Sequence, residues 1–277
     1  MDFTGERYIP EVHGNIELEH MHRYLLASQI AMGKDILDIA CGEGYGTALL
    51  AGKAKNITGV DISAETINHA RKKYAKENIN FMVGSCTEIP LPDKSIDLVV
   101  SFETIEHLEE HDLMMKEIKR VMRSNGVLLI SSPDKYYYSV EPGYHNPFHK
   151  KELYQHEFRQ LIEEYFKNTL YFEQRVIYGS MVLSNSFPTL TMSYFKENET
   201  IKSANGIIRP TYWIALASDA DLPELMTGIY ECPINESEIV REWTKVVETR
   251  DETIATLQSQ IAEHAQLIET LRSQLTE

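Results

Sequence analysis

The sequence predicts a doubly wound α/β domain that is followed by a long C-terminal helix. Five short apolar runs alternate with helical segments through the first half of the chain, and two more apolar runs follow. This alternation is typical of parallel strands that are joined by crossover helices. A chain of 277 residues with 43% hydrophobic content is long enough for one such domain and an appendage.

Each strand is predicted from its own apolar run, taken in chain order. The first five strands are expected at residues 35–40, 56–62, 79–84, 96–102 and 126–133. Apolar residues recur every three to four positions at 47–54, 64–77 and 111–124, which indicates helices between the strands. A further helix over 151–166 precedes apolar runs at 171–179 and 211–219. We expect these last two runs to form a closing antiparallel pair, which brings the sheet to seven strands.

The stretch from 180 to 210 has no clear periodicity and carries Gly, Pro, Asn and Ser. It predicts a long irregular insertion between two strands. Long loops in compact domains are often functional, so this insertion either covers a binding site or is a surface loop. The predicted organisation is a lid segment over 1–30, an α/β domain over 31–225 and a coiled coil over 238–277.

A heptad repeat predicts the coiled coil. Its a and d positions are Val240, Trp243, Val247, Arg250, Ile254, Leu257, Ile261, His264, Ile268, Leu271 and Leu275. β-branched residues at a with large apolar residues at d favour a parallel two-stranded coil, although Arg250 and His264 weaken the seam. The alternative is a single amphipathic helix packed on its own domain. Because polar residues cover most of the helix, we expect it to join a homo-oligomer or to bind a partner enzyme. The chain stops in mid-heptad, so we also expect the natural protein to be longer.

Composition argues against several partners. A net charge of −15 and a pI near 5.1 disfavour nucleic acid, because binding to phosphates depends on Lys and Arg. Cys41, Cys86 and Cys232 have neither paired-thiol nor zinc spacing, so a cytoplasmic location is expected. No run approaches the roughly 18 apolar residues of a membrane span. We therefore expect any contact with the inner face of the membrane to be peripheral or through partners.

A glycine-rich turn follows the first strand in ILDIACGEGYG. Gly42 and Gly44 allow positive φ angles and close approach of the backbone to a ligand. The carboxylates of Asp38 and Glu43 stand where a pyrophosphate would need positive groups, which disfavours a dinucleotide. They suit a ligand that carries a sulfonium and an ammonium group. Asp61 ends the next strand, where its carboxylate can accept both hydroxyls of a ribose.

Three segments together resemble class I S-adenosylmethionine-dependent methyltransferases over roughly residues 30–135. They are DIACGEGYG, VDIS and GSCTEIPLPDKSIDLVVS. The resemblance implies a Rossmann-like fold and S-adenosylmethionine as cofactor. It places Ser85 and Cys86 against the adenine with Ile62 on its other face, and Ser85 substitutes for the acidic residue of many relatives. The cofactor-binding residues expected in this way are Asp38, Ala40, Gly42, Glu43, Gly44, Asp61, Ile62, Ser85, Cys86 and Ser101.

The segment SFETIEHLEEH follows the fourth strand and brings Glu103, Glu106 and His107 to neighbouring surfaces of a helix start. This E-x-x-E-H pattern resembles that of ubiquinone-pathway O-methyltransferases and of small-RNA 3′-terminal 2′-O-methyltransferases, in which it holds a divalent metal. His145 or His149 would complete a shell for Mg²⁺, Mn²⁺ or Zn²⁺. In metal-free relatives the same histidine only caps or packs the helix. His107, His145 and His149 are candidate general bases under either interpretation.

The opening FTGERYIP resembles methyltransferases that are encoded with bacterial polysaccharide and O-antigen biosynthesis. The residues expected to close over the cofactor or contact the acceptor are Arg7, Tyr8, His20, His22, Arg23 and Tyr24. The resemblance implies O-methylation of a sugar hydroxyl on a glycan or lipid-linked polysaccharide, as in lipopolysaccharide, with chain termination as one outcome. The tyrosines Tyr136, Tyr137, Tyr138 and Tyr144 favour a glycan groove. The alternatives are a small-molecule or quinone-type O-methyltransferase and a non-catalytic coiled-coil scaffold.

Overall fold

The computed structural model of the protein describes residues 14–177, 192–197, 200–234 and 237–275. Two compact units make up the chain: the first contains Ile16–Tyr230 and the second contains Glu231–Glu277. The first unit holds one large sheet, a separate hairpin and the helices around the sheet. The second unit holds one long helix.

The described residues form nine strands and six α-helices, in the order that the apolar runs predict with one added hairpin. The strands are β1 Asp35–Ile39, β2 Asn56–Asp61, β3 Ile79–Val83, β4 Ile96–Ser101, β5 Met122–Pro133, β6 Asn168–Gln174, β7 Met192–Glu197, β8 Thr200–Asn205 and β9 Tyr212–Ser218. The helices are α1 Asn15–Ser28, α2 Tyr45–Leu50, α3 Ala64–Lys73, α4 His111–Val121, α5 Gln155–Tyr165 and α6 Glu238–Leu275.

The large sheet has seven strands in the order β3-β2-β1-β4-β5-β9-β6. Strands β1 to β5 are parallel, and β9 lies antiparallel between β5 and β6. This arrangement confirms the predicted doubly wound sheet and its closing antiparallel pair. The strand order reverses between β1 and β4, and ligands of such sheets bind where the order reverses, at the carboxyl ends of the strands.

Both faces of the sheet are covered because the central strands are apolar on both sides. Leu37 and Val99 pack against α4 and α5 on one face, where Phe158 is fully buried. Ile36 and Leu98 pack against α1 and α2 on the other face. Parallel strands buried on both faces read as continuous apolar runs, which is why the sequence marks them clearly.

Several predicted boundaries are wrong, among them that of β6, which spans Asn168–Gln174 and not 171–179. Strand β5 begins at Met122 and not at residue 126. The first residues after Met122 in this strand are polar, so no apolar run marks them. Ion pairs hold them in place: Arg123 donates to Asp97 at 2.6 Å and lies 3.2 Å from Asp35. The insertion is not irregular throughout, since β7 and β8 pair as an antiparallel hairpin within it. Backbone pairing forms this hairpin from largely polar segments; residues 178–191 of the insertion lie outside the described residues.

Helix α1 belongs to the core of the first unit. The ring of Tyr24 packs edge-on against Phe102, and a Cβ atom at Gly46 would overlap that ring. Glycine at position 46 is therefore required for α1 and α2 to approach each other. The other half of the predicted lid segment, with Arg7 and Tyr8, lies outside the described residues.

Helix α6 confirms a long helix at the predicted place, while the coiled coil itself stays a prediction. Its heptad side chains are largely solvent-exposed, with Trp243 at 66% and Ile261 at 68% exposure. The apolar stripe of α6 is thus exposed to solvent. No helix among the described residues combines the length and apolar character that a bilayer crossing requires.

Candidate active site

The candidate site lies at the carboxyl edge of the sheet. The register pairs Ile39 at the end of β1 with Ser101 at the end of β4. The glycine-rich loop after β1 and the acidic segment after β4 are therefore neighbours, although about 60 residues separate them in the chain. Ser101 is buried there, and its Oγ has no hydrogen-bond partner among the described residues.

The loop after β1 turns back on itself through left-handed backbone conformations. Ala40, Gly42 and Gly44 have φ angles of 57°, 54° and 94°. A Cβ atom at Gly44 would lie 2.9 Å from the ring of Phe81, so glycine is also needed there for space. The amide of Gly42 donates to Asp61 Oδ2 at 3.1 Å, which ties the loop to the end of β2. The predicted cofactor loop is thus a rigid turn between two carboxylates, Asp38 and Asp61.

Asp38 is fully buried beneath this loop. It accepts hydrogen bonds from the hydroxyls of Tyr24 at 3.0 Å and of Thr47 at 2.6 Å. Burial raises the pKa of Asp38 to about 7, against the two hydrogen bonds, which lower it. The carboxyl is therefore close to half-ionised at neutral pH in the unliganded protein. A cationic ligand nearby would favour the ionised form.

Asp61 ends β2 and is held by two backbone amides. Its Oδ1 accepts from Ser63 N at 2.9 Å, while Oδ2 accepts from Gly42. Ser63 also caps α3, because its hydroxyl accepts from the Thr66 amide. The following side chain, Ile62, is 73% exposed. An exposed apolar side chain beside an oriented carboxylate has the chemistry of a nucleoside site.

Two more predicted cofactor residues follow β3. Ser85 shares a 2.8 Å hydrogen bond with Thr87 Oγ1 and accepts from the Thr87 amide at 3.1 Å. Cys86 is half-buried, and burial raises the pKa of its thiol. These contacts form a tight turn at the same edge of the sheet. A neutral thiol at this place contributes as a small apolar surface.

The side chain of Glu43 has its hydrogen-bond partners on the side of α3. Its buried carboxylate receives hydrogen bonds from Lys73 at 2.5 Å and from Tyr74 at 2.7 Å, and His69 Nε2 lies 3.0 Å away. These partners belong to α3 and its end. The side chain of Glu43 therefore anchors the loop to α3, and its cofactor-binding role stays a prediction. The sequence alone shows a carboxylate in the loop but not the side on which its partners lie.

A second group of polar side chains forms after β4. Ligand atoms of Glu106, His107 and His149 lie within 4.8 Å of one another. Glu106 is buried in a short 3₁₀ turn, and its Oε2 has no hydrogen-bond partner among the described residues. Burial, and then the charge of Glu103, raise the pKa of Glu106 well above its usual range. A buried carboxylate oxygen without a donor is costly unless something supplies the missing partner.

Hydrogen bonds determine the tautomers of the two histidines. His107 Nδ1 lies 3.0 Å from the Phe148 carbonyl, so Nδ1 carries the proton. Asn146 Oδ1 accepts from the Phe148 amide, so its amino group faces His149 Nε2 at 3.0 Å. His149 therefore accepts at Nε2 and donates from Nδ1 to Glu152 Oε1 at 2.6 Å. Both imidazoles carry their lone pair on Nε2, the atom that binds a metal or accepts a proton, but at His149 the Asn146 amino group donates to that lone pair and must move aside first.

Two of the residues predicted for this cluster lie elsewhere. Glu103 Oε1 lies 3.3 Å from Arg23 Nη1 and accepts from Ser131 Oγ at 2.6 Å. His145 is exposed and is not part of the group of ligand atoms, so His149 alone takes the place of the later histidine. The ring of His149 also stacks on that of Tyr138, which holds it beside Glu106 and His107, and its role as a ligand or base stays a prediction.

The lid residues of α1 reach the same region. His20 Nδ1 lies 2.8 Å from the hydroxyl of Tyr45, and burial lowers the pKa of His20 to about 3. His20 is thus neutral at any physiological pH. His22 instead packs near the ring of Tyr230 at the end of the unit. Of the α1 residues, His20, Arg23 and Tyr24 lie at the site.

Sequence reasoning missed Thr47, Ser131 and Glu152, which hold Asp38, Glu103 and His149. Glu152 had a signal, since it lies three residues after His149 in the same segment. Ser131 had none, because it is 28 residues from its partner Glu103, which follows the neighbouring strand.

Part of the chain is similar in sequence to known methyltransferases. Residues 37–130 match the family described as a methyltransferase domain. A probable S-adenosylmethionine-dependent methyltransferase of Mycolicibacterium smegmatis is 38% identical over 171 residues, which cover 59% of this chain and 64% of the relative. A fatty-acid O-methyltransferase of the same species is 31% identical over 99 residues, which cover 35% of this chain and 36% of the relative. The chain therefore spans less than two thirds of either relative.

A solved S-adenosylmethionine-dependent methyltransferase of Thermotoga maritima superposes with a TM-score of 0.51 at 17% identity. The superposition covers 74% of this chain and 90% of that one. At this identity the likeness shows the fold alone, and it confirms the Rossmann-like fold expected from the sequence.

Proposed function

We propose that this chain, which carries a class I S-adenosylmethionine-dependent methyltransferase domain, methylates a hydroxyl oxygen of a glycan. The single observation that carries an O-methyltransferase is the cluster of Glu106, His107 and His149 beside the cofactor loop. Some relatives with this domain are O-methyltransferases. The glycan is our finer proposal and depends on the opening segment and on exposed aromatic rings.

The cofactor side rests on two carboxylates. Asp38 lies below the loop, where its negative charge suits the ammonium and sulfonium groups of S-adenosylmethionine. Asp61 lies at the end of β2, where its carboxylate suits the ribose hydroxyls. The exposed side chain of Ile62 offers an apolar contact to the adenine. Because β1 and β2 are neighbouring parallel strands, these three residues lie near the same edge of the sheet.

The acceptor side rests on the imidazoles. Methyl transfer is an in-line displacement: the acceptor oxygen bonds to the methyl carbon as the carbon–sulfur bond breaks, and the hydroxyl proton must leave. An unprotonated Nε2 accepts that proton at His107, or at His149 once the Asn146 amino group has moved off its Nε2. The Glu152 carboxylate stabilises the imidazolium that forms on His149. Holding the acceptor in line and removing its proton are the two demands that these residues meet.

A divalent cation is a further part of the proposal. Glu106 Oε2, two Nε2 lone pairs and the nearby charges of Glu103 and Glu152 fit a cation, since carboxylates outnumber the single guanidinium of Arg23. A bound Mg²⁺, Mn²⁺ or Zn²⁺ would act as a Lewis acid on the acceptor hydroxyl. The residues that would hold it are Glu106, His107 and His149.

Exposed rings next to this cluster support a sugar acceptor. Tyr136, Tyr144 and Phe148 are each about half exposed, and Tyr138 stacks on His149. Sugar rings bind flat aromatic surfaces whose polar edges remain wet. A fatty acid or a quinone would instead require an enclosed apolar pocket. The open aromatic surface therefore favours a glycan over the small-molecule alternative.

The test is mass spectrometry of surface glycan from cells with and without the gene. We expect one O-methyl group, a mass of about 14 Da per site, to disappear in the deletion strain and to return with the wild-type gene. A His149→Ala gene should not restore it, whereas an exposed histidine change, His145→Ala, should. Unchanged glycan together with methylation of a small acceptor by the purified protein would contradict the glycan. Failure to bind S-adenosylmethionine would favour the scaffold alternative.

We also propose that α6 pairs with a second copy as a parallel coiled coil. This helix of 38 residues carries an exposed apolar stripe at its a and d positions, which a second copy would bury. A double change, Ile254→Asp with Ile261→Asp, places unpaired charges in the seam and should convert the assembly to monomers. The matched control, Ala255→Asp with Ala262→Asp, adds the same charges one position further round the helix and should leave the mass unchanged. Light scattering that gives one mass for the wild type and both variants would contradict the coil.

A further inference from the structure

Arg23 is a fully buried guanidinium at the edge of the site. Its Nε donates to Gln174 Oε1 at 2.7 Å, and its guanidinium carbon lies 4.3 Å from the centre of the Tyr212 ring. Nη1 and Nη2 have no hydrogen-bond partner among the described residues, and Nη1 lies 3.3 Å from Glu103 Oε1. The side chain is thus anchored by β6 and β9 while its charged end is directed to Glu103. A buried charge of this kind persists only where a nearby opposite charge compensates it.

Glu103 is held on the Arg23 side by three restraints. Ser131 Oγ donates to the Glu103 carboxylate at 2.6 Å, and it accepts from the backbone amide of Glu103 at 3.2 Å. The residue has a φ angle of 49°, a left-handed conformation that a glutamate rarely adopts. Such strain persists only when the surroundings determine it. The reciprocal bonds with Ser131 and the guanidinium of Arg23 supply that determination.

Glu103 would otherwise be a natural fourth ligand of the neighbouring cluster. It lies three residues before Glu106, and its charge is close enough to disfavour ionisation of Glu106. Yet the ligand atoms that lie together belong to Glu106, His107 and His149 alone among the described residues. The contacts of Glu103 with Arg23 and Ser131 account for its exclusion.

We propose that Arg23 withholds Glu103 from the cation site, so that three side chains hold the cation and the remaining coordination positions stay open to the acceptor. The proposal rests on the cation in the proposed function. Three protein ligands with open positions are typical of catalytic metal sites, whereas closed four-ligand shells are typical of structural ones. Arg23 therefore sets the openness of the site, and it does so as a positioning residue that touches Glu103 and not the reacting atoms.

Calorimetric titration of the full-length protein with Mn²⁺ tests the proposal. Glu103→Gln should bind Mn²⁺ within about twofold of the wild type, because Glu103 is not a ligand. Arg23→Met releases Glu103 to bind the cation as a fourth ligand and should tighten Mn²⁺ binding by roughly tenfold or more, a change of the size that groups around metal ligands produce. The double variant, Arg23→Met with Glu103→Gln, should return to the wild-type affinity. The gain is thereby assigned to the released carboxylate.

The possible results distinguish the cation site from the role of Arg23. A wild type and an Arg23→Met variant that both fail to bind Mn²⁺ contradict the cation itself and this inference with it. A wild type that binds Mn²⁺ but weakens tenfold or more in Glu103→Gln contradicts only the role of Arg23, since Glu103 is then a ligand. If Arg23→Met does not fold, as judged by its melting curve, the Glu103→Gln titration still decides whether Glu103 is a ligand, and a tenfold loss there contradicts the proposal.

Discussion

Turnover should fall by roughly 10²-fold or more in a Glu106→Gln variant, while the affinity for S-adenosylmethionine stays unchanged. Glutamine has the shape of the protonated carboxyl, which is the form that burial favours, so the fold should tolerate it. It cannot provide the negative charge that a cation requires. Treatment of the wild type with EDTA should therefore have the same effect, and Mn²⁺ or Mg²⁺ should restore activity to the wild type but not to the variant. Transfer of isotopically labelled methyl groups to acceptor glycan measures both effects.

Glu109→Ala is the matched control, because Glu109 is an exposed carboxylate three residues further along. It should leave turnover within about twofold of the wild type. If EDTA has no effect while His149→Ala still lowers the rate by about 10²–10⁴-fold, the imidazole acts as an unassisted general base. That pair of results would eliminate the cation and retain the methyltransferase.

The affinity for S-adenosylmethionine should fall as the pH is lowered through about 7. Burial raises the pKa of Asp38 to about 7, and the ionised form is the one that attracts a cationic cofactor. Below that pH a proton must be removed before the cofactor binds, which weakens binding by up to tenfold per pH unit. Asp38→Asn should remove this dependence and weaken binding at pH 8 by about 10–100-fold, the worth of a charged hydrogen bond. Calorimetry at pH values from roughly 5.5 to 8.5 measures both effects.

The same ionisation acts on stability with a defined sign. The folded pKa of Asp38 lies above the ordinary value of 3.8, so the folded state holds the proton more strongly than the unfolded state. Its contribution to the stability of the unliganded protein is complete below about pH 4 and is lost as the pH rises through about 7. Saturating cofactor should offset that loss, because it favours the ionised carboxyl.

Asp97→Asn serves as the control for the pH experiment. Asp97 lies at the amino end of β4, where it accepts from the Asp35 amide and pairs with Arg123. Its loss should lower the melting temperature slightly and leave the pH dependence of cofactor binding intact. A dependence that persists in Asp38→Asn, or one that disappears in Asp97→Asn, would show that another group controls binding.

The sequence by itself determined the sheet and the part of the site that is built from single short segments of the chain. Buried parallel strands read as continuous apolar runs, so β1 to β4 were predictable to within one residue. The loop with Gly42 and Gly44 and the carboxylates of Asp38 and Asp61 follow directly from strand ends, and strand ends meet at one edge of a parallel sheet. A resemblance over the same segments added the cofactor.

Only the tertiary structure decided which polar side chains meet. The sequence shows Glu103 and Glu106 three residues apart, but Arg23 on α1 and Ser131 on β5 draw the first away from the second. It offers His145 and His149 as equals, yet only His149 stacks on Tyr138 and bonds to Glu152. The physical reason is that hydrophobic periodicity is local, whereas the partner of a buried charge is set by register and packing between distant elements. The direction in which a carboxylate points is therefore decided only once the chain has folded.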